Sequence, residues 1–199
     1  MRRWRLTAAL MAALLVPSLS QAEPELVVPP MPRQVLLDPD HSSFGFQIRT
    51  RFGQHIEGVF PKIEGRILVL ADGRHQVHLQ LDARAVMIPD RERYTGWMRG
   101  EDFFDVAEYP SVQFDSLPYP ADITREGGDI LGNLTIRGVS HLELLRVEPA
   151  ECTRAGYDCD VMARGSVSRG RYGMDKWQVA LGEKVYLTMH ARLLQTSAP

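Results

Sequence analysis

Short runs of strictly alternating hydrophobic and polar residues dominate the chain. Over residues 41–49, Phe44, Phe46 and Ile48 alternate with small or polar residues. Successive side chains of a strand point to opposite faces, so this period of two predicts a strand with one buried and one hydrated face. Similar patterns recur along the chain and predict about nine strands among these candidate segments: 34–37, 41–49, 55–60, 65–69, 76–82, 112–114, 130–137, 144–147, 161–167, 177–181 and 185–193.

Turn residues separate these segments, and Asp72-Gly73 is typical of a hairpin turn. Regular short strands with such turns between them predict an all-β fold with a meandering antiparallel sheet. Glycine lies on the apolar face of four predicted strands, at Gly58, Gly65, Gly132 and Gly165. Because glycine in a strand indicates a bend, a bulge or a close approach, we interpret these as marks of a sheet coiled into a barrel, or of an interior with space left in it.

One segment, 90–100, has the period of a helix instead. Asp90 is placed to cap the first turn, and Gly100 ends the pattern. Three residues share one face: Tyr94, Trp97 and Met98. Since the segment leads directly into Phe103 and Phe104, we predict a short helix that caps or lines one end of the barrel. An ordinary packed crossover helix would explain the same pattern.

The first 22 residues have the pattern of a signal peptide. Three arginines precede an apolar run, 6–16, that is too short to span a bilayer, and small residues follow near Ala22. We therefore predict a signal peptide at 1–22, an extended proline-rich leader at 23–34 and one domain at 35–199, exported to the periplasm. A membrane anchor is the alternative interpretation of the apolar run.

The charge balance bears on the protein's partners, and the cysteine content bears on its compartment. Acidic residues outnumber basic ones by 25 to 23, and loss of the signal peptide would remove three arginines, which argues against a nucleic-acid partner. The two cysteines, Cys152 and Cys159, lie in a polar stretch rich in turn residues and predict a disulfide in an oxidising compartment. A zinc site is the weaker alternative, because no histidine accompanies this spacing.

Motifs of known catalytic chemistry are missing from the sequence. It contains no Gly-x-Ser-x-Gly, His-Glu-x-x-His or glycine-rich phosphate loop. The six histidines are scattered, and His75 and His78 point to opposite faces of one predicted strand. We therefore predict no catalytic residue, no metal site and no cofactor.

The inner faces of the predicted strands carry large apolar residues without charge. A closed barrel of about eight strands is wide enough to hold one small ligand, and such a lining suits a long hydrocarbon. Periodicity alone does not distinguish this lumen from a fully packed core. The predicted lining, with the helix and the block after it, consists of Phe44, Phe46, Ile48, Phe60, Ile67, Val77, Leu79, Leu81, Trp97, Met98, Phe103, Phe104, Phe114, Leu134, Ile136, Leu187 and Met189.

The chain resembles the YceI-like family of lipid- or polyisoprenoid-binding proteins over residues 35–194. Five blocks carry the resemblance: DPDHSSFGF at 38–46, GVFPKIEG at 58–65, RGEDFFDVAEYPSVQF at 99–114, GNLTIRGV at 132–139 and RYGM at 171–174. The resemblance implies a lipocalin-like antiparallel β-barrel whose lumen holds a long isoprenoid or fatty-acid-like lipid, in exported proteins that are usually homodimers. The cysteine pair and the compact segment 177–185 depart from the family pattern.

These observations lead to one hypothesis and two alternatives. The hypothesis is a periplasmic protein that carries or sequesters an isoprenoid of polyprenyl or quinone type, with transient membrane contact and a homodimeric state as further expectations. In the first alternative an enzyme modifies the lipid's head group through His41, Asp105 or His141. In the second, a stress-related interaction protein has a filled core.

Overall fold

The computed structural model describes residues 33–195, so the predicted signal peptide and most of the predicted leader lie outside the described residues. The first strand begins at Arg33, inside the predicted leader. Within 33–195 no helix is both long and apolar enough to cross a membrane. The elements are β1 Arg33–Leu36, β2 Ser43–Thr50, β3 His55–Phe60, β4 Ile63–Val69, β5 His75–Asp82, α1 Glu92–Arg99, β6 Ser111–Ser116, α2 Ile123–Glu126, β7 Gly128–Ile136, β8 Val139–Val147, β9 Val161–Ser168 and β10 Leu181–Ala191.

The strands form one antiparallel sheet that closes on itself. Its order is β1-β4-β5-β6-β7-β8-β9-β10-β2-β3, and β1 runs on into β2 through a turn. Beyond β10, the Leu194 N–H donates to the Leu36 carbonyl at 2.9 Å, and the Asp38 N–H donates to the Arg192 carbonyl at 2.8 Å. Because β1 also pairs with β4, these bonds join the two sides of the sheet. The predicted all-β antiparallel barrel is confirmed.

One local prediction is wrong because the backbone turns where the sequence pattern suggests a strand, and one short helix was not predicted. The predicted strand 177–181 is instead a turn over residues 177–180, and only Leu181 belongs to β10. Trp177 has a φ of +62°, and its carbonyl accepts the N–H groups of Ala180 and Leu181. A carbonyl used in this way cannot join a ladder. Helix α2 has only four residues, too few to show a helical period in the sequence.

Helix α1 is held by contacts other than the predicted cap. Asp90 adopts a left-handed conformation, with φ at +58°, and the N-cap position belongs to Arg91, which makes no side-chain capping bond. Instead, the Thr95 hydroxyl accepts the Ile88 N–H at 2.8 Å, and Arg99 Nε donates to the Val86 carbonyl at 3.0 Å. The helix is therefore anchored to the segment that precedes it.

The inward-facing glycines receive side chains from neighbouring strands. Gly58 lies opposite Phe46, and a Cβ added at Gly58 would lie 2.1 Å from the phenyl ring. A Cβ at Gly132 would lie 2.5 Å from the Phe114 ring. Gly65 and Gly165 accept leucine side chains in the same way. The space that these glycines provide is therefore filled by the adjacent ring or leucine side chain.

The disulfide between Cys152 and Cys159 is confirmed. It closes a loop that docks on the end of β10, where the Leu193 N–H donates to the Gly156 carbonyl at 2.8 Å. Arg192 Nη1 donates to the Tyr157 carbonyl, also at 2.8 Å. The staple thus holds an irregular segment against the strand that takes part in closing the barrel.

The glycine contacts predict that one added methyl group lowers stability at Gly58 but not at Gly96. Gly58→Ala places a Cβ inside the Phe46 ring, so we expect overpacking to lower the free energy of unfolding by about 1–3 kcal/mol in urea titrations. Gly96→Ala is the matched control, because no heavy atom lies within 4 Å of its added Cβ and alanine favours the helix by about 1 kcal/mol. Equal stability of the two variants would contradict the close packing of Phe46.

Candidate functional site

The barrel interior contains two apolar chambers. The wide chamber, of about 390 Å³, lies among β1 and the strands β4 to β10, beside α2 and the disulfide loop. The narrow chamber, of about 50 Å³, lies at the other end, beside α1 and the Phe103-Phe104 block. Small-molecule sites usually have volumes of roughly 300–1,000 Å³, so only the wide chamber has the size of a ligand site.

The structure divides the predicted lining between the two chambers. Ten of the predicted residues line the narrow chamber: Phe44, Phe46, Ile48, Phe60, Met98, Phe103, Phe104, Leu134, Ile136 and Leu187. Five line the wide chamber: Ile67, Val77, Leu79, Phe114 and Met189. Alternation along single strands indicated which side chains point inward, and the structure assigns each of them to one chamber.

Aromatic rings fill most of the narrow end. Phe104 packs on Phe60 with ring centroids 5.3 Å apart and on Phe46 at 5.9 Å. Phe44 contacts Phe60 edge to face at 6.1 Å. Such tilted and edge-to-face contacts are favourable ring arrangements. This end therefore has the character of a packed core with a small void.

The wide chamber is lined mainly by apolar side chains, with a few polar groups among them. Burial raises the pKa of Tyr119 to about 12, and burial lowers the pKa of His75, whose ring meets Tyr119 edge to face at 6.1 Å. Both side chains are therefore uncharged at neutral pH. Arg33 is the one permanently charged residue in the lining of this chamber, within residues 33–195.

A single layer of side chains separates the chambers. Phe114 on β6 lies directly opposite Leu134 on β7, and the two residues line different chambers. On β10, Met189 lines the wide chamber and Leu187 the narrow one. Since neighbouring inward positions on one strand face different chambers, a shift of this layer would connect them.

Two residues of the predicted lining lie in neither chamber. Leu81 is buried in the core. Trp97 is 41 % exposed and stacks on Trp177, with ring centroids 5.8 Å apart, while Arg93 lies 4.8 Å from its ring centre. Met98 is the buried residue of helix α1, and the half-buried Tyr94 packs against the core. The stacking partner Trp177 is distant in sequence, so a local pattern did not reveal that Trp97 faces outward.

Some lining residues escaped sequence reasoning. Ile130, Leu145 and Ala163 continue the alternation of predicted strands and were within reach of that signal. Tyr119, Ile123 and Tyr157 come from α2 and from connections, where no period marks an inward position. Arg169 lines the narrow chamber and was not predicted there, because arginine usually lies at the surface.

The residues of the enzymatic alternative make separate contacts. His41 Nδ1 lies 2.8 Å from the Asp38 carboxylate, and His141 Nε2 lies 3.0 Å from the Arg171 carbonyl. Asp105 has a φ of +46°, and its backbone carbonyl accepts the N–H groups of the following turn. Across the described part of the chain, no group of three or more His, Cys, Asp or Glu residues is placed to hold a metal ion.

Several known structures share this fold. BcnA of Burkholderia cenocepacia is 19% identical, with 80% of this chain and 99% of that chain covered and a TM-score of 0.65. A polyisoprenoid binding domain from Saccharophagus degradans, implicated in plant cell wall breakdown, is 15% identical, with coverages of 79% and 95% and a TM-score of 0.59. The YceI protein of Campylobacter jejuni is 17% identical, with coverages of 72% and 87% and a TM-score of 0.54.

At such low sequence identity, the similarity to these structures shows a shared fold and nothing further. The search of curated proteins found no match. The model of the YceI-like domain, in contrast, matches residues 36–193, which include all ten strands except the first three residues of β1. The match thus covers most of the chain and nearly all of the lining of both chambers, and it confirms the resemblance seen in the sequence: the chain belongs to the YceI-like family.

Proposed function

We propose that the protein binds the apolar tail of a long-chain isoprenoid, of polyprenyl or quinone type, or of a similar lipid, and carries or sequesters it. The wide chamber is the observation that carries this proposal, because it offers about 390 Å³ enclosed mainly by aliphatic and aromatic side chains. Each methylene removed from water contributes about 0.8 kcal/mol, so a tail binds with few polar contacts. The polyisoprenoid binding domain from Saccharophagus degradans, which shares the fold, supports the choice of ligand.

Longer tails require movement of the layer between the chambers. Met189 belongs to that layer, and Met98 and Met174 line the narrow chamber. Methionine side chains are unbranched and adapt readily to new packing partners. In this proposal the tail fills the wide chamber, and any length that the wide chamber does not hold lies across the dividing layer, where these side chains move aside.

We propose the periplasm as the site of action. The N-terminal pattern of residues 1–22 supports export. The disulfide supports an oxidising compartment, since such bonds are rare where thiols are kept reduced.

Reducing the wide chamber's volume is the direct test of the binding proposal. Ala163 lines the chamber, between Val147 of β8 and Met189 of β10. We expect Ala163→Phe to weaken binding of geranylgeraniol, a neutral isoprenoid, at least about tenfold, because the ring removes the space for roughly two or more methylenes. Binding is measured by native mass spectrometry and by displacement of a fluorescent apolar probe.

Ala107→Phe is the matched control, because Ala107 lies in an exposed turn and the same substitution there leaves both chambers intact. Circular dichroism and thermal unfolding verify that both variants keep the fold. Unchanged affinity of the Ala163→Phe variant, or a wild-type protein that binds no isoprenoid, would contradict the proposed function.

We also propose transient contact with a lipid surface through an apolar rim at the α1 end, formed by Phe52, Trp97, Trp177 and Val179. Phe52 is 84 % exposed and Val179 is 88 % exposed. The Arg51 N–H, beside Phe52, donates to the Ala180 carbonyl at 2.8 Å and so holds the β2–β3 hairpin against the segment with Val179. Exposed tryptophans flanked by arginine suit the interface between lipid tails and head groups.

Vesicle binding tests this rim. For the double variant Phe52→Glu with Val179→Glu, we expect partitioning onto vesicles of phosphatidylethanolamine and phosphatidylglycerol to fall by at least about tenfold, since two side chains no longer enter the lipid surface. Sedimentation of protein with vesicles gives the bound fraction. The Leu194→Glu variant, altered at an exposed leucine beyond the end of β10 that is opposite the rim, is the control and should bind as the wild type does. Equal partitioning of all three proteins would refute this contact.

We further propose that two copies pair, a proposal supported by a strip of exposed leucines on the outer face of β7 and β8. Leu131 and Leu144 lie directly opposite each other in the ladder, and Leu142 is the next outward residue on β8. Leu117 extends the strip, because its N–H donates to the Leu131 carbonyl. A continuous exposed apolar strip of this kind suits burial against an identical strip in a symmetric dimer.

The oligomeric state tests the leucine strip. We expect the wild type to sediment as a dimer and Leu142→Glu to sediment as a monomer, because two symmetry-related charges would be buried without partners. Analytical ultracentrifugation at several protein concentrations measures the mass. Val179→Glu, on the apolar rim, is the matched control and should remain a dimer. A wild-type protein that is monomeric at all concentrations would rule out this interface.

A further inference from the structure

Arg169 is a buried cation in an otherwise apolar chamber. It begins the short 3₁₀ turn Arg169–Tyr172 that follows β9, and only 2 % of its surface is exposed. The other fourteen residues that line the narrow chamber are phenylalanine, isoleucine, leucine, valine or methionine. A single positive charge therefore sits at the wall of a chamber that offers it no polar side chain.

The hydrogen bonds of Arg169 leave one end of the guanidinium unused. Nε donates to the Gly182 carbonyl at 2.9 Å, and Nη1 donates to the carbonyls of Met174 and Lys176. Nη2 is buried and has no hydrogen-bond partner within residues 33–195. The contacts of Nε and Nη1 explain how Arg169 holds the segment 174–182, but they leave the two hydrogens of Nη2 without a partner.

Among the residues that the structure describes, no carboxylate lies within ion-pair distance of the Arg169 guanidinium. Arg169 belongs to none of the ion pairs found there, although many other arginines do. Glu183 and Asp175 attract the charge only from a greater distance, and Glu183 accepts hydrogen bonds from the Ser168 hydroxyl and the Gly170 N–H. Burial lowers the pKa of Arg169, yet a guanidinium remains protonated at neutral pH. A buried charge without a counter-ion is unfavourable unless a partner reaches it.

We propose that Arg169 anchors the head group of the bound lipid, with Nη2 donating to an oxygen of a carboxylate or a phosphate. This inference rests on the proposed lipid-binding function and adds to it the chemical class of the head group. An anionic oxygen supplies both the acceptor that Nη2 lacks and the charge that the chamber lacks. A neutral hydroxyl or carbonyl oxygen would satisfy only the first of these two needs.

The position of Arg169 also gives the ligand a direction. The head lies at the narrow end and the tail extends across the dividing layer into the wide chamber. The narrow chamber, at about 50 Å³, opens further when a head group enters. Met98 and Met174, which line it, are the side chains best able to move.

Ligands that share one tail and differ in the head group test the anchor without any variant. We would measure binding of hexadecanoic acid, hexadecyl phosphate and hexadecanol at pH 7.5 by displacement of a fluorescent apolar probe. We expect the wild type to bind the two anionic ligands at least about tenfold more tightly than the alcohol, because only they form a charge-assisted hydrogen bond. A preference for only one anion identifies which head group the chamber accepts.

Replacing the guanidinium separates the anchor from a purely structural role. We expect Arg169→Met to lose the preference for the anionic ligands while its affinity for hexadecanol stays within about twofold, because the tail contacts remain. Arg164→Met is the matched control: Arg164 is an exposed arginine on β9, and its loss should leave the preference intact. If the Arg169→Met protein fails to fold, the wild-type comparison still decides the question.

Three outcomes would overturn the assignment. Equal binding of the three ligands by the wild type would refute the anchor and leave the lipid-binding function standing. An equal loss of affinity for all three ligands in Arg169→Met would show that the arginine only holds the segment 174–182. A wild-type protein that binds none of them would overturn the proposed function and the head-group assignment together.

Discussion

Barrel closure is the constraint on which the two chambers depend. The bonds that join Leu36 and Asp38 to Arg192 and Leu194 connect the first strand to the last, so the sheet has no open side at that point. If these bonds opened, the walls of the wide chamber would separate and its apolar lining would meet water. The disulfide loop docks on the same end of β10 and thereby reinforces the closure.

The alternation of apolar and polar residues predicted which side chains point into the barrel. It did not predict which of them fill the interior and which border a cavity. Phe44, Phe46 and Ile48 point inward because strand residues alternate, which one strand alone reveals. Whether a ring fills the interior or borders a space depends on the residue opposite it. The tip of the Phe46 ring lies against Gly58, and this neighbour is set by the register between β2 and β3. The sequence carries no direct record of register, so periodicity did not distinguish a lumen from a packed core, and the structure contains one of each.

The predictions that failed share a physical cause. Asp90 and Trp177 adopt left-handed backbone conformations that residues other than glycine rarely take, so no propensity rule indicates them. Arg169 was missed for a related reason, since sequence reasoning places arginine at the surface. Its burial is explained by the backbone carbonyls of the segment 174–182, which accept hydrogen bonds from its guanidinium. Such departures from local rules are expected where a structure serves a function.

The segment 174–182 links the two proposals made for the α1 end. Its carbonyls surround Arg169 on the inside, while Trp177 and Val179 project from it into solvent as part of the apolar rim. A lipid surface at the rim would therefore lie close to the buried cation. A lipid entering from that surface would pass its tail first toward the wide chamber. Its anionic head would stop at Arg169, so one short segment would set both where the lipid enters and how far it goes.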